Sequence, residues 1–171
     1  MGVYQKILGS DFERLGLALK QFHDEPKRVT GCLTVTHSQQ LVPKFFVWLM
    51  RLPKAGVDLE TTLVVDVDES LEKWEREIGS VKLVTRQYSR NGKLVESAGP
   101  INFVFDLAEE SGAMVFHHYR SEFFGVPMPK HIAPIIDARV DPDESGWMVC
   151  VNIQCPRYGT ICKYEGRINT V

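Results

Sequence analysis

Residues Ile101–Arg120 read INFVFDLAEESGAMVFHHYR, and this stretch decides the fold class. Its first half alternates apolar and polar residues with a period of two, which places Phe103 and Phe105 on one face of a strand. The segment Glu110-Ser111-Gly112 predicts a turn, because Ser bonds its own backbone and Gly tolerates positive φ. A turn centred on Glu110–Ser111 predicts the opposed pairs Leu107–Met114, Phe105–Phe116, Phe103–His118 and Ile101–Arg120. The shared face would be apolar near the turn and would end in a histidine and an arginine.

The same alternation recurs on both sides of this hairpin, and Asn91-Gly92 is a strong signal for a second tight turn. Three prolines and a glycine interrupt it between Phe123 and Pro134, where we expect an apolar connection across one end of the sheet. The sequence predicts about ten antiparallel strands. Outside the central hairpin they are Arg28–His37, Val57–Val67, Leu71–Ile78, Val81–Ser89, Lys93–Ala98, Ile135–Val140, Trp147–Gln154 and Thr160–Ile168.

Two segments near the N-terminus predict helices. Residues 4–23 carry apolar side chains at helical spacing, and Ser10 and Glu13 are spaced as a capping box. Residues 39–52 predict a second helix, in which Lys44 is the one charged residue between Leu41 and Met50. A helix that is apolar nearly all round is usually buried. The alternatives are a lid over a cavity and a helix that contacts a membrane surface or a partner.

These elements predict a mainly β (α+β) fold. A sheet of about ten strands leaves long exposed edges unless it closes, so we expect an antiparallel up-and-down β-barrel or a strongly curved sheet. A helix placed between the first strand and the rest resembles the layout of the fatty-acid-binding, calycin-like barrels. A helix-grip fold is the main alternative, although residues 146–171 show no long helical pattern, and a two-sheet sandwich is the third. We expect one domain over residues 1–171, with the N-terminal helix at 4–23, the apolar helix at 39–52 and the sheet at 57–171.

The composition is ordinary for a globular protein, with 44% hydrophobic and 25% charged residues. A net charge of −2 argues against a nucleic-acid partner. No stretch reaches the roughly 18 apolar residues that a transmembrane helix needs. The first residues lack the pattern of a secretory signal, so we expect a cytoplasmic location. Without zinc-ligand spacing, Cys32, Cys150, Cys155 and Cys162 are expected to be free thiols, and a Cys155–Cys162 bridge is the alternative.

A ligand site is predicted on the apolar face of the sheet. Arginine keeps its charge, so any of the strand arginines Arg76, Arg86, Arg120 and Arg139 that faces inward needs a carboxylate or an anionic ligand. The candidate carboxylates are Glu96, Asp137 and Glu165. Exposed or internally paired arginines and core aromatics are the alternative interpretation. The candidate ligand-binding residues are Trp74, Arg76, Arg86, Phe103, Phe116, His118, Arg120, Arg139 and Tyr164. The candidate lid or portal residues on the apolar helix are Phe45, Phe46, Trp48 and Leu49.

The standard signatures of catalysis are absent from the sequence: it contains no GxSxG, HExxH or phosphate-binding loop. His117 and His118 are neighbours on a strand and point to opposite faces, so they cannot hold one metal ion together. We therefore assign no catalytic residue, no metal and no cofactor. An enzyme with His118 as its base is the most distant alternative.

Several segments resemble the bacterial domain-of-unknown-function family numbered 4166, and together they cover nearly the whole chain. The segments are Tyr4–Leu8, Phe22-His23, Leu49–Gly56, Glu72–Gly79, Leu94-Val95-Glu96, Gly99-Pro100, Phe124–Pro129, Ala133-Pro134 and Tyr164-Glu165-Gly166. The resemblance implies a bacterial protein whose relatives occur alone or attached to a dehydrogenase-like nucleotide-binding domain. It implies no activity and no catalytic residues.

Two hypotheses of function follow. In the first, the barrel binds a small hydrophobic or amphiphilic anionic ligand in a cavity of several hundred cubic ångströms, anchored by an arginine or histidine. In the second, the chain is an accessory domain that uses exposed apolar surface around Phe45–Met50 or Phe123–Pro129 to contact a dehydrogenase-like protein. A homodimer is a further candidate assembly.

Overall fold

Ten antiparallel strands form a closed barrel in the structure, a computed structural model that describes residues 2–25, 28–68 and 70–170. The strand order is β6-β5-β4-β3-β2-β1-β11-β10-β9-β7, and β7 also pairs with β6, which closes the ring. An eleventh strand, β8, pairs only with the end of β7. The strands are β1 (Val29–His37), β2 (Gly56–Asp68), β3 (Leu71–Ile78), β4 (Val81–Arg90), β5 (Lys93–Ala98), β6 (Ile101–Glu110), β7 (Ala113–Phe123), β8 (Val126–Pro127), β9 (Ile135–Asp143), β10 (Gly146–Cys155) and β11 (Gly159–Asn169).

The predicted barrel is thus confirmed, and residues 146–169 form β10 and β11 instead of the long helix that a helix-grip fold requires. Every second side chain of a strand points into the barrel, because successive side chains point to opposite faces of the sheet. On β3, Trp74 and Ile78 are buried inside, and the intervening Glu75 and Glu77 point outward. The predicted hairpin at Asn91-Gly92 is confirmed, with φ angles of 54° and 73° at these residues.

The predicted register of the central hairpin was wrong. Its turn is Ser111-Gly112, and both residues have positive φ. Farther from the turn, a bulge shifts the pairing between Val104 and Phe105. Both changes shift the pairing, because a two-residue hairpin turn needs positive φ at both central residues and a bulge adds one residue to one strand. The observed pairs are Glu109–Met114, Leu107–Phe116, Phe105–His118, Phe103–Ser121, Ile101–Phe123 and Val104–Arg120.

The pairing between β7 and β9 is the shortest link of the ring. It contains three residue pairs, Met114–Val140, Val115–Arg139 and Phe116–Ala138. Farther along, the Ile136 N–H donates to Nδ1 of the His118 ring at 3.5 Å. The His118 side chain therefore accepts a hydrogen bond that a backbone carbonyl accepts elsewhere in the sheet.

The N-terminal residues fold into two short helices, α1 (Val3–Leu8) and α2 (Leu17–Asp24), joined by a 3-10 turn at Gly9–Arg14. The predicted capping box at Ser10 and the continuous helix to His23 were wrong, because Leu15 and Gly16 are extended, with ψ of 149° and 147°. The Gly16 N–H donates to the Gly112 carbonyl at 2.9 Å, and a Cβ at Gly16 would lie 2.4 Å from Pro142. The chain thus breaks its helix where it passes close to two strand turns. We call residues 2–24 the plug.

Helix α3 (Leu41–Leu49) connects β1 to β2 at the opposite end of the barrel. It packs against β1 and β11, with Pro43 and Phe46 buried. Arg51 follows in the left-handed region (φ 52°), and the Leu52 N–H donates to the Val47 carbonyl at 3.0 Å. This hydrogen bond ends the helix in the manner of a Schellman motif. We call this end, which includes the β3–β4 and β5–β6 turns, the α3 end.

Candidate functional site

The plug inserts aromatic side chains into one end of the barrel. Tyr4 and Phe22 are 1% and 4% exposed, and their rings lie 6.0 and 5.8 Å from the ring of Trp74. His23 lies against Tyr4, with 4.0 Å between ring centroids. Apolar spacing in α1 and α2 predicts a buried face, and the barrel interior is what that face meets.

Hydrogen bonds fix the plug to two strands. The Tyr4 hydroxyl donates to Oε1 of Gln87 at 2.6 Å, and the Val3 N–H donates to Oε1 of Glu72 at 3.1 Å. The Trp74 indole N–H donates to Oε2 of the same carboxylate at 3.0 Å. Burial raises the pKa of Glu72, and these two N–H donors oppose the rise. The plug is therefore held by polar contacts that water does not reach.

A cavity of about 130 Å³ lies beneath the plug. Most of its wall is aliphatic or aromatic, and its polar groups come from the plug and from strands β2 to β5 and β11. For comparison, an apolar cavity of about 150 Å³ is large enough to take up benzene. The predicted cavity is therefore present but much smaller than the several hundred cubic ångströms expected. Its wall includes Tyr4, Phe22, His23, Leu63, Trp74, Arg76, Gln87, Glu96, Phe116, Ala138, Val151 and Tyr164.

An ion pair forms the polar part of this wall. Nη1 of Arg76 lies 3.1 Å from Oε1 of Glu96 and donates to Oγ1 of Thr85 at 2.8 Å. The Thr85 hydroxyl donates in turn to Oε1 of Glu96 at 2.7 Å. Burial disfavours the charged guanidinium, but the Glu96 carboxylate holds the pKa of Arg76 above its ordinary value. The guanidinium also lies over the Trp74 ring, with Cζ 5.0 Å from the centroid.

Other polar atoms in the wall lack protein partners. Among the described residues, none hydrogen-bonds to the Tyr164 hydroxyl, to the His23 ring nitrogens or to Nε and Nη2 of Arg76. Burial raises the pKa of Tyr164 and lowers that of His23 to about 3, so both side chains are neutral near pH 7. These atoms can donate to or accept from a molecule in the cavity.

The structure brings together four of the nine predicted ligand-binding residues. Trp74, Arg76, Phe116 and Tyr164 line the cavity. Phe103 is 2% exposed and packs in the core without reaching the cavity wall.

His118 lies next to the β7–β9 link rather than in the cavity wall. Its Nε2 is 3.5 Å from the Ser121 hydroxyl oxygen. Burial lowers the pKa of His118, and Asp137 opposes the shift.

Three predicted arginines lie on the outer surface of the barrel. Arg86 is exposed. Arg139 pairs with Asp141 and Glu110 at 2.8 and 2.9 Å. Arg120 lies outside because the shifted register pairs it with Val104, and there it contacts Glu122 at 2.8 Å. These side chains do not converge on the cavity.

The predicted lid residues lie at the α3 end, and the cavity wall contains none of them. Phe46 is buried, Leu49 is half-buried, and Phe45 and Trp48 are 53% and 72% exposed. Trp48 and Leu49 line a separate groove of about 810 Å³ between α3 and the β3–β4 and β5–β6 turns. The plug, rather than α3, covers the cavity.

Sequence reasoning did not place Tyr4, His23 and Gln87 in the site. Helical spacing marks the buried face of the plug, but it does not say that this face enters the barrel. Gln87 could have been found from alternation, because it follows the inward-facing Leu83 and Thr85 at intervals of two. Of the three candidate carboxylates for the strand arginines, Glu96 is the one that pairs with the inward-facing Arg76.

The described residues contain no cluster of three or more histidine, cysteine or acidic side chains that could hold a metal ion. The four cysteines are unbridged. No helix in the described part of the chain is long and apolar enough to cross a membrane.

A family model described as a domain of unknown function (DUF4166) matches residues 15–168. Neither the curated proteins nor the solved structures contain a match to this sequence.

Proposed function

This chain belongs to the DUF4166 family, and we propose that it binds a small, mostly apolar molecule with one polar end in the cavity beneath the plug. The observation that carries the proposal is the coexistence, in one wall, of a mostly apolar lining and polar atoms of Arg76, His23 and Tyr164 that have no hydrogen-bond partner among the described residues. A few convergent polar groups in an apolar pocket are typical of small-molecule sites.

The size of the cavity limits the ligand. At about 130 Å³ it accepts a single ring or a short chain, about the size of benzene, rather than a long acyl chain. A ligand that extends farther would have to displace Tyr4 or Phe22 of the plug.

The charges in the wall select the polar end. Glu96 already neutralises Arg76, so an anionic group would have to compete with that carboxylate. A neutral acceptor, such as a carbonyl oxygen, can take N–H and O–H donors from Arg76 and Tyr164 without breaking the pair. We therefore favour a neutral acceptor over the anion expected from the sequence.

Native mass spectrometry of freshly purified protein, followed by calorimetry with small ring ketones, amides and alcohols, tests the proposal. Ala138→Leu fills part of the cavity and should weaken binding more than tenfold, whereas Tyr164→Phe should weaken it about fivefold to tenfold through one lost hydrogen bond. Tyr119→Phe, on the outer surface, is the matched control. A clean apo mass together with no heat from any probe would refute the proposal.

A further inference from the structure

We propose that the α3 end of the barrel docks on an anionic lipid surface. This surface is separate from the cavity, so the inference does not depend on ligand binding there.

Helix α3 is apolar on two faces. Pro43, Phe46 and Met50 face the barrel and are buried. On the other face, Leu41, Phe45 and Trp48 recur at positions i, i+4 and i+7 and are 84%, 53% and 72% exposed. An outward stripe of Leu, Phe and Trp on a surface helix is the pattern of helices that insert into the interface of a bilayer.

A second apolar element projects from the same end. The turn after β7 exposes Phe124 and Val126 to 76% and 66%. The Phe124 N–H donates to the Pro100 carbonyl at 2.9 Å, and Pro100 lines the groove beside Trp48. The α3 stripe and this turn can therefore approach one surface together.

The charged side chains that line the groove are all positive. Its lining contains Lys44, Arg51, Lys54 and Lys82 and no acidic residue, although the whole chain carries a net charge of −2. Lys82 is paired with Glu75 at 2.6 Å. Within the described part of the chain, the other three cations have no carboxylate partner. Basic side chains that flank exposed aromatic residues complement the phosphate and carboxylate groups of an anionic lipid surface.

Sedimentation with phosphatidylcholine vesicles, with and without phosphatidylserine, tests the inference. We expect binding only when phosphatidylserine is present, together with a blue shift of tryptophan fluorescence. Trp74 and Trp147 are buried, so the shift reports Trp48. Trp48→Ala should weaken binding about tenfold, and Lys44→Gln and Arg51→Gln roughly fivefold each.

Two control variants lie on the plug, at the other end of the barrel. Leu17→Ala removes a side chain that is 70% exposed, and Lys6→Gln removes an exposed charge. Both should bind vesicles as the wild type does. The inference is overturned if no vesicle binds, if neutral vesicles bind equally well, or if the control variants weaken binding as much as Trp48→Ala. It is also overturned if Trp48→Ala dissociates a dimer in sedimentation experiments, since the stripe would then be a protein interface.

Discussion

Helical segments lie at both ends of the barrel, and their hydrophobicity does not predict how deeply their side chains are buried. The plug carries Asp11, Glu13 and Arg14, yet it inserts Tyr4 and Phe22 deep into the interior. Helix α3 is far more apolar in sequence, yet it exposes Phe45 and Trp48. Hydrophobicity alone therefore does not show which helix is buried. What distinguishes the plug is that its polar atoms find buried partners, among them Gln87 and Glu72.

The largest effect should come from the ion pair beneath the plug. Arg76→Met leaves the Glu96 carboxylate without its cation in the interior, and we expect the free energy of unfolding to fall by about 4 kcal/mol. Urea denaturation measures this. The double variant Arg76→Met/Glu96→Met should recover most of the loss. Arg139→Met, which breaks a solvent-screened surface pair, should cost far less. If both single variants lost the same free energy of unfolding, the interior pair would be no more important for stability than the surface pair.

The next effect tests whether the plug is part of the core. Phe22→Ala removes a ring that is 4% exposed and packs 5.0 Å from the ring of Trp147, so we expect a loss of about 3 kcal/mol in the same experiment. Leu17→Ala on the same helix should change stability by less than about 0.5 kcal/mol. A small loss for Phe22→Ala would mean that the plug adds little to the core.

Acidification should weaken the plug end specifically. The folded chain leaves His23 neutral down to about pH 3, whereas the unfolded chain protonates it near 6.5. The unfolded state thus binds more protons in this window, and the free energy of unfolding falls as the pH drops. At about pH 5 the His23 contribution is a loss of about 2 kcal/mol. Glu72 acts in the opposite direction, since its raised pKa favours folding as it protonates.

His23→Phe removes this titration and keeps an aromatic ring in place. The difference in stability between variant and wild type, measured by urea denaturation at several pH values, should therefore change by about 2 kcal/mol between pH 7 and 5. A difference that stays constant with pH would contradict a buried neutral His23.

The smallest effect belongs to the α3 end. Trp48→Ala should change the free energy of unfolding by less than about 0.5 kcal/mol, because the side chain is 72% exposed. Thermal unfolding measures this, and Phe46→Ala is the buried comparison on the same helix. If Trp48→Ala were as costly as Phe46→Ala, the outward stripe would be part of the folded core.

Alternation predicted the barrel and the inward position of Arg76, because a period of two assigns faces without reference to other strands. It did not predict the outward position of Arg120, which depends on the bulge between Val104 and Phe105. Alternation predicted that a cavity lies inside the barrel, but the expected volume was too large, because the volume depends on how far the plug enters. That depth is set by contacts such as Tyr4 with Gln87, between residues 83 positions apart in the chain.

The short link between β7 and β9 has a consequence for the kinetics of opening. Three residue pairs hold this part of the wall, against eight between β1 and β11. Local opening requires fewest hydrogen bonds to break at that link. The backbone amides of Phe116 and Ala138, which face each other across this link, should therefore exchange with deuterium sooner than those on β1. Because Phe116 and Ala138 lie both in this link and in the cavity wall, opening of the link would expose the cavity from the side, with the plug and α3 still in place.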